Sequence, residues 1–375
     1  MAGIYIHIPF CKQKCSYCDF HFSTSFASYR KRMLQSILTE IEQRQKYVEG
    51  KTIETIYFGG GTPSLLEKSE ISSILETIQR NFEVTSTAEV TLEANPDDIT
   101  EKTLLDWKAA GITRLSIGLQ SFKSEDLKWM NRAHTAEEAR TCVQLAQKYG
   151  FENLTIDLMY GLPGLTEEQW KEHIQTVIDW GVPHISSYCL TVESDTALHK
   201  WVADASIEVA DEEQQSRHFE ILLEMLERNG IQQYEISNFS RLGFESKHNS
   251  NYWKGEWYLG VGPSAHSFNG LERRWNIANN HKYMNALEKG EPYFEEEHLS
   301  VHDRFNELIL TGLRTVYGVP VEKLSALIEI PDEMHVKITQ FREAQWLEDN
   351  EELLVLTKEG RLRADYIASE LFLTN

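Results

Sequence analysis

The chain has 375 residues, 41% of them hydrophobic, with 37 lysines and arginines against 58 aspartates and glutamates and a formal net charge of −21. That length supports a large core plus a second, smaller unit, and the charge works against a nucleic-acid backbone as partner, with no basic patch to offset it. No apolar run approaches the roughly 18 residues of a membrane span, no signal peptide precedes the first strand pattern, and the cysteines, odd in number and mostly clustered, suit a reducing compartment, so a cytoplasmic protein is expected.

The chain opens on an alternating apolar run, read as a strand over 3–8, and passes into Cys11-Lys12-Gln13-Lys14-Cys15-Ser16-Tyr17-Cys18. The Cys-x3-Cys-x2-Cys spacing describes a metal-cluster loop. A cubane iron–sulfur cluster has four irons, and thiolates are its usual ligands, so a loop of this kind leaves one iron open to another molecule. Two other readings stay open on the residues alone. Cys11, Cys15 and Cys18 with His21 would close a Cys3His zinc site, and Cys15 with Cys18 has the spacing of a redox pair.

Beyond this loop, strand and helix patterns alternate. Strands are expected near 53–58, 88–93, 112–118, 153–159 and 184–190, and amphipathic helices near 27–47, 67–81, 101–109, 136–149, 167–180 and 212–229. Such βα units in series predict an α/β fold, a partial (β/α)6 TIM-like barrel over 1–235, with ligands gathered at the C-terminal strand ends. After the second strand, Gly59-Gly60-Gly61-Thr62-Pro63 would let the backbone approach a ligand and turn its N–H groups toward an anion; a plain tight turn is the other reading. The next strands end on Glu93, Gln120 and Asp157. Successive polar ends in one layer suggest a shared ligand, because a core layer would be apolar. Cys142 and Cys189 lie in helix and strand patterns and read as small buried hydrophobes.

The cysteine loop, with Tyr17 ahead of its last cysteine and the glycine run after the following strand, resembles the radical S-adenosylmethionine (SAM) superfamily. The resemblance implies a [4Fe-4S] cluster on Cys11, Cys15 and Cys18 whose open iron takes SAM, and release of a 5′-deoxyadenosyl radical when the cluster is reduced. Gly60, Gly61 and Thr62 would cradle the methionine end of SAM. In the coproporphyrinogen-oxidase-like branch of the superfamily, Tyr5, Tyr17, Glu93, Gln120, Arg132 and Asp157 match positions around SAM. For Arg132 the alternative is a surface ion pair.

From about 235 the composition changes. Aromatics, glycines and the histidines His248 and His266, without a clear period, describe a structured cap over 236–295. Its histidines could satisfy buried hydrogen bonds, or hold a planar aromatic ligand at its iron while Tyr252 or Trp253 stacks on it. His248-Asn249-x-x-Tyr252-Trp253 resembles the motif of the haem-chaperone branch of the oxygen-independent coproporphyrinogen oxidase family, which makes His248, Tyr252 and Trp253 the candidate haem contacts. The last portion, 296–375, has helical signals at 301–314, 320–328 and 332–344, a strand at 353–356 and a final helix, and looks like a winged helix. Its wing is acidic at Glu348, Asp349, Glu351 and Glu352, which suits a substrate-side lid better than DNA.

The resemblance therefore implies a haem chaperone that binds haem and hands it to apoproteins, those of the respiratory chain among them. The alternative is a radical SAM enzyme acting on a tetrapyrrole, as the oxidase does. Against that, Phe20 stands where the oxidase usually carries a fourth cysteine, and the short stretch before Cys11 leaves no room for the oxidase's N-terminal arm. A zinc-stabilised binding protein is the third reading. Peripheral membrane contact and a homodimer are compatible with the sequence.

Overall fold

Ile4, Ile6 and Ile8 of the first strand alternate with Tyr5 and His7, which sends the isoleucines into the hydrophobic core and turns Tyr5 and His7 toward the inside of the barrel. The same two-residue period sets Ile56 and Phe58 against Thr55 and Tyr57, and Leu115 and Ile117 against Arg114 and Ser116. In the computed structural model, which describes residues 1–374, these runs become β1 (Ala2–Ile8), β2 (Ile53–Gly60), β3 (Val84–Ala94), β4 (Arg114–Gln120), β5 (Leu154–Tyr160) and β6 (His184–Cys189), parallel and adjacent in chain order. Around them run α1 (Arg30–Gln43), α2 (Lys68–Asn81), α3 (Glu101–Ala110), α4 (Ser124–Trp129), α5 (Ala136–Lys148), α6 (Glu167–Asp179), α7 (Ala197–Ala203) and α8 (Glu212–Arg228). Thr100, Thr135 and Thr166 start α3, α5 and α6 by accepting a hydrogen bond from the third helical N–H, which satisfies donors the helix cannot. The expected α/β partial barrel of parallel strands forms. The helix expected over 27–47 is broken at Arg44 into α1 and a separate 3-10 turn, Gln45–Val48.

The stretch expected as a cap without period is largely sheet edge. It runs through β7 (Gln232–Glu235), β8 (Asn238–Ser240), α9 (Lys247–Trp253), β9 (Trp257–Val261), β10 (His266–Phe268), β11 (Glu272–Asn276), α10 (Asn280–Lys289) and β12 (Phe294–His298). β9 pairs in parallel with β1, setting Gly260 opposite Tyr5, and β10, β11 and β12 continue outward as antiparallel strands; β8 and β7 extend the other edge beyond β6. One 12-stranded sheet results.

The C-terminal region holds α11 (Val301–Leu313), β13 (Val319–Pro320), α12 (Val321–Ser325), α13 (Asp332–Glu343), β14 (Leu353–Leu354), α14 (Lys358–Arg361) and α15 (Ala364–Glu370). Phe305, Ile309, Leu324, Ile338 and Ile367 belong to a hydrophobic core separate from that of the barrel. The two are joined where Arg314 donates to Glu235 Oε1 through Nε and Nη2 at 3.1 and 3.0 Å, and where Ile236 N–H meets Arg314 O at 3.0 Å. Among the described residues no helix is long and apolar enough to cross a membrane.

Candidate cofactor site and the adjoining cavity

The loop from β1 to α1 carries Cys11, Cys15 and Cys18, each half-buried. Backbone bonds pin it: Cys11 N–H donates to Ser23 O at 3.1 Å and Ser16 N–H to Met130 O at 3.0 Å. Lys12 Nζ latches it to Asp97 at 2.5 Å and also reaches Asp98. Polar hydrogens face two of the sulfurs, from Thr62 Oγ1 to Cys11 Sγ and from Arg132 Nη1 to Cys15 Sγ, both at 3.5 Å. Burial pushes the Cys11 thiol up to about 12 and the Cys18 thiol to about 11, so their thiolate forms demand a positive partner. A metal cluster is such a partner, and the residues fit one. A single zinc ion does not fit. Among the described residues no three His, Cys, Asp or Glu side chains gather to hold one ion, and His21 gives its Nε2 to Asn280 Oδ1 at 2.8 Å while its carbonyl accepts from His7 Nε2 at 2.8 Å.

The glycine run does something other than expected. Gly61 N–H donates to Ile8 O at 2.9 Å and Thr62 N–H to Phe10 O at 2.6 Å, while the Gly60 N–H faces the Glu93 carboxylate. These amides are spent on groups of the protein itself, the Glu93 carboxyl included, rather than turned toward a ligand. The glycines are needed for close approach: a Cβ on Gly61 would lie 2.6 Å from the carbonyl oxygens of Ile8 and Phe10, and one on Gly60, where φ is +100°, would lie 2.5 Å from the His7 ring. The run therefore seats the cysteine loop against the end of β2.

Cys11, Cys15 and Cys18 share a cavity of about 410 Å3 with Tyr17, Gly60, Gly61, Thr62, Glu93, Gln120, Arg132 and Asp157. Arg132 is not on the surface: its Nη2 donates to Asn95 Oδ1 at 2.7 Å and Gly118 O at 2.9 Å, and its Nε is buried without a partner. Glu93 Oε1 accepts from Tyr57 OH at 2.9 Å, and burial lifts the carboxyl to about 7. Asp157 accepts from Ser116 Oγ at 3.3 Å and is lifted by burial to about 6. Gln120 holds a left-handed backbone, φ +68°, at the end of β4. Sequence reading did not find Asn95, Ser116 and Tyr188, which also line this cavity. Asn95 was accessible by spacing, two residues beyond Glu93 and directly after the end of β3.

A larger cavity, about 1160 Å3, adjoins the first and shares Asp19, Phe20, Gly60 and Glu93 with it. Tyr5 belongs to this second space, with His7, which the sequence reading did not place at a site, with His21, considered there only as a zinc ligand, and with His266, one of the two cap histidines. Tyr252, Trp253 and Phe268 form its wall on one side and Leu308 and Leu327 of the C-terminal region the other. His248 is a correction. It is 2% exposed, stacks on Tyr57 with ring centres 5.0 Å apart, and has both ring nitrogens engaged, Nδ1 with Thr55 Oγ1 at 2.8 Å and Nε2 with Tyr252 OH at 2.9 Å. Burial holds it neutral, lowered to about 3. It lies behind Tyr252, and Tyr252 and Trp253 reach the cavity in its place.

Residues 5–177 match the family model described as the radical SAM superfamily, and residues 299–363 match the HemN C-terminal domain. The protein named "Heme chaperone HemW" from Bacillus subtilis (strain 168) is 35% identical over 333 residues, 87% of this chain and 86% of that one. Its namesake from Mycobacterium tuberculosis (strain H37Rv) is 32% identical over 374 residues, covering 98% and 94%. Among solved structures, the radical SAM coproporphyrinogen III oxidase (HemN) of Escherichia coli superposes with a TM-score of 0.86 over 99% of this chain and 90% of that chain, at 22% identity, which establishes the shared fold.

Proposed function

The chain belongs to the HemW family of radical SAM proteins, and from that premise we propose that it is a haem chaperone, carrying a SAM-ligated [4Fe-4S] cluster at the barrel mouth and holding haem in the cavity beside it for delivery to apoproteins. The observation that carries this reading is the continuity of the two cavities through Asp19, Phe20, Gly60 and Glu93. A small polar chamber next to a large aromatic one suits two ligands of different character.

Cys11, Cys15 and Cys18 would hold the cluster, and Tyr17, Gly60, Gly61, Thr62, Glu93, Gln120, Arg132 and Asp157 would surround SAM, with Tyr5 on the haem side. When bound, the reduced cluster supplies an electron to SAM. The chain's own contribution is electrostatic. Arg132 offsets negative charge at Cys15, while Glu93 and Asp157 are desolvated acids that a cationic ligand converts to carboxylates. Tyr252 and Trp253 give a flat ligand apolar walls and keep water from it.

The test is anaerobic purification, haem titration with and without the cluster, and transfer of the bound haem to an apo-haem protein followed by difference absorbance. Stoichiometric binding and transfer are expected. Many turnovers of vinyl product from coproporphyrinogen III with SAM and reductant would replace the chaperone reading with the enzymatic one.

A further inference from the structure

Iron in a porphyrin needs a donor with a free lone pair and room for a ring face to come down on it. Four imidazoles surround the large cavity or its wall, and they differ in whether they can provide this. His248 has no free nitrogen. His7 is 6% exposed, gives Nε2 to His21 O, and has Tyr5 OH 3.4 Å from Nδ1. His21 spends its outward nitrogen, Nε2, on Asn280, which leaves only the nitrogen nearest its own main chain. His266 alone of these four is exposed, and its ring makes no hydrogen bond among the described residues.

We infer that His266 is the iron ligand for a metalloporphyrin in the large cavity; the inference rests on the haem-binding reading above. His266 stands on β10, where strand alternation puts His266 and Phe268 on the cavity face and Ser267 on the buried one. Ser267 is anchored by Gly260 N–H at 3.0 Å and Arg44 Nη2 at 3.2 Å. A Cβ on Gly260 would lie 1.9 Å from the His266 carbonyl oxygen, so β10 can sit this close only beside a glycine. Across the ladder the His266 ring stacks on Trp275, with centres 6.3 Å apart and planes at 29°. The imidazole is thus carried by a rigid element and backed by an indole, as a preorganised ligand should be. The rim suits the rest of the molecule. Arg273 is held by Glu307 at 2.6 Å, which leaves Lys254, Arg304 and Lys323 as the rim cations to meet a porphyrin's two carboxylates.

The cluster-loaded protein is titrated with hemin and, separately, with iron-free protoporphyrin IX. For His266→Ala, hemin affinity should fall at least tenfold with a displaced Soret band, added imidazole should restore the wild-type spectrum, and protoporphyrin IX should bind as it does to wild type. His266→Met, with iron content and circular dichroism as checks on folding, should bind hemin with a changed ligand-field spectrum. Hemin binding by His266→Ala with unchanged affinity and Soret position overturns the assignment while haem binding stands. Equal loss of both porphyrins marks a packing role and also overturns it. Wild-type protein that takes up no hemin refutes the haem reading itself.

Discussion

Glu93 is half-buried at the wall shared by the two cavities, with Tyr57 OH as its donor, and desolvation raises its carboxyl from 4.5 to about 7. An acid raised in the folded state destabilises that state only where the unfolded chain would ionise it. The penalty is absent below about pH 4.5, grows as pH rises, and is complete above about 7. Glu93→Gln should therefore stabilise the ligand-free protein by about 1–3 kcal/mol at pH values above 7 and hardly at all near pH 4. Thermal unfolding at both pH values checks this; an equal shift at each would mean that charge is not the cause. The same substitution should weaken SAM at least about tenfold, or ~1.4 kcal/mol, by calorimetry, the trade between stability and function expected where a charge waits for its partner. Arg132→Ala should leave Asn95 Oδ1 and the Cys15 sulfur without their donor and should lower both SAM affinity and iron retention. Among single residues, the strand-end positions were legible because each ends an apolar alternation. His248 was not correctly placed, since nothing in a sequence says that Thr55, distant in the chain, will occupy its Nδ1.

At the scale of elements, the barrel strands and the longer helices were readable to within a few residues because each of those helices carries its own apolar stripe and several carry a threonine cap, whereas α4 and α7, six and seven residues long, are too short to show a period and were not expected. The strands from β7 to β12 were not. They are only three to five residues long, and the two pairings that attach them to the barrel strands, β9 with β1 and β8 with β6, join segments separated in the chain. What holds that edge is a buried cluster: Glu40, fully buried, accepts from Gly262 N–H at 2.8 Å, Asn276 Nδ2 at 2.8 Å, Tyr283 OH at 2.6 Å and Arg44 Nη1 at 3.2 Å. Glu40→Ala would strand all these donors and should cost about 3–5 kcal/mol in a denaturant titration. Just beyond the C-terminal end of β1, Gly61→Ala must push the Ile8 and Phe10 carbonyls away. The cysteine loop should shift, and iron incorporation should fall while the far-ultraviolet spectrum stays that of a folded barrel.

For the whole molecule, two hydrophobic cores are tied through Arg314 and through the pairs Arg273–Glu307, Lys358–Glu227 and Arg361–Gln233, and the large cavity lies between them, so its shape depends on that tie. Arg314 is the centre of it. Its guanidinium lies 5.1 Å over the Trp253 ring and bonds Glu235, which is 1% exposed and also receives Ser237 N–H at 3.0 Å and Asn238 Nδ2 at 2.6 Å. Removing Arg314 leaves a buried carboxylate with two weaker donors and frees one face of a cavity-wall tryptophan. Because Arg314 is itself partly exposed, Arg314→Ala should cost about 1–3 kcal/mol, less than a fully buried pair. That loss should appear as easier opening between the cores, read as faster proteolysis near Thr315–Gly318 and as several-fold weaker hemin binding, with iron content unchanged because the cysteine loop lies wholly on the barrel. Arg314→Lys, which keeps the charge but not the paired nitrogens, should recover only part of both. If proteolysis accelerates and hemin affinity stays at the wild-type value, the C-terminal wall does not shape the haem site, and binding must rest on the barrel side alone.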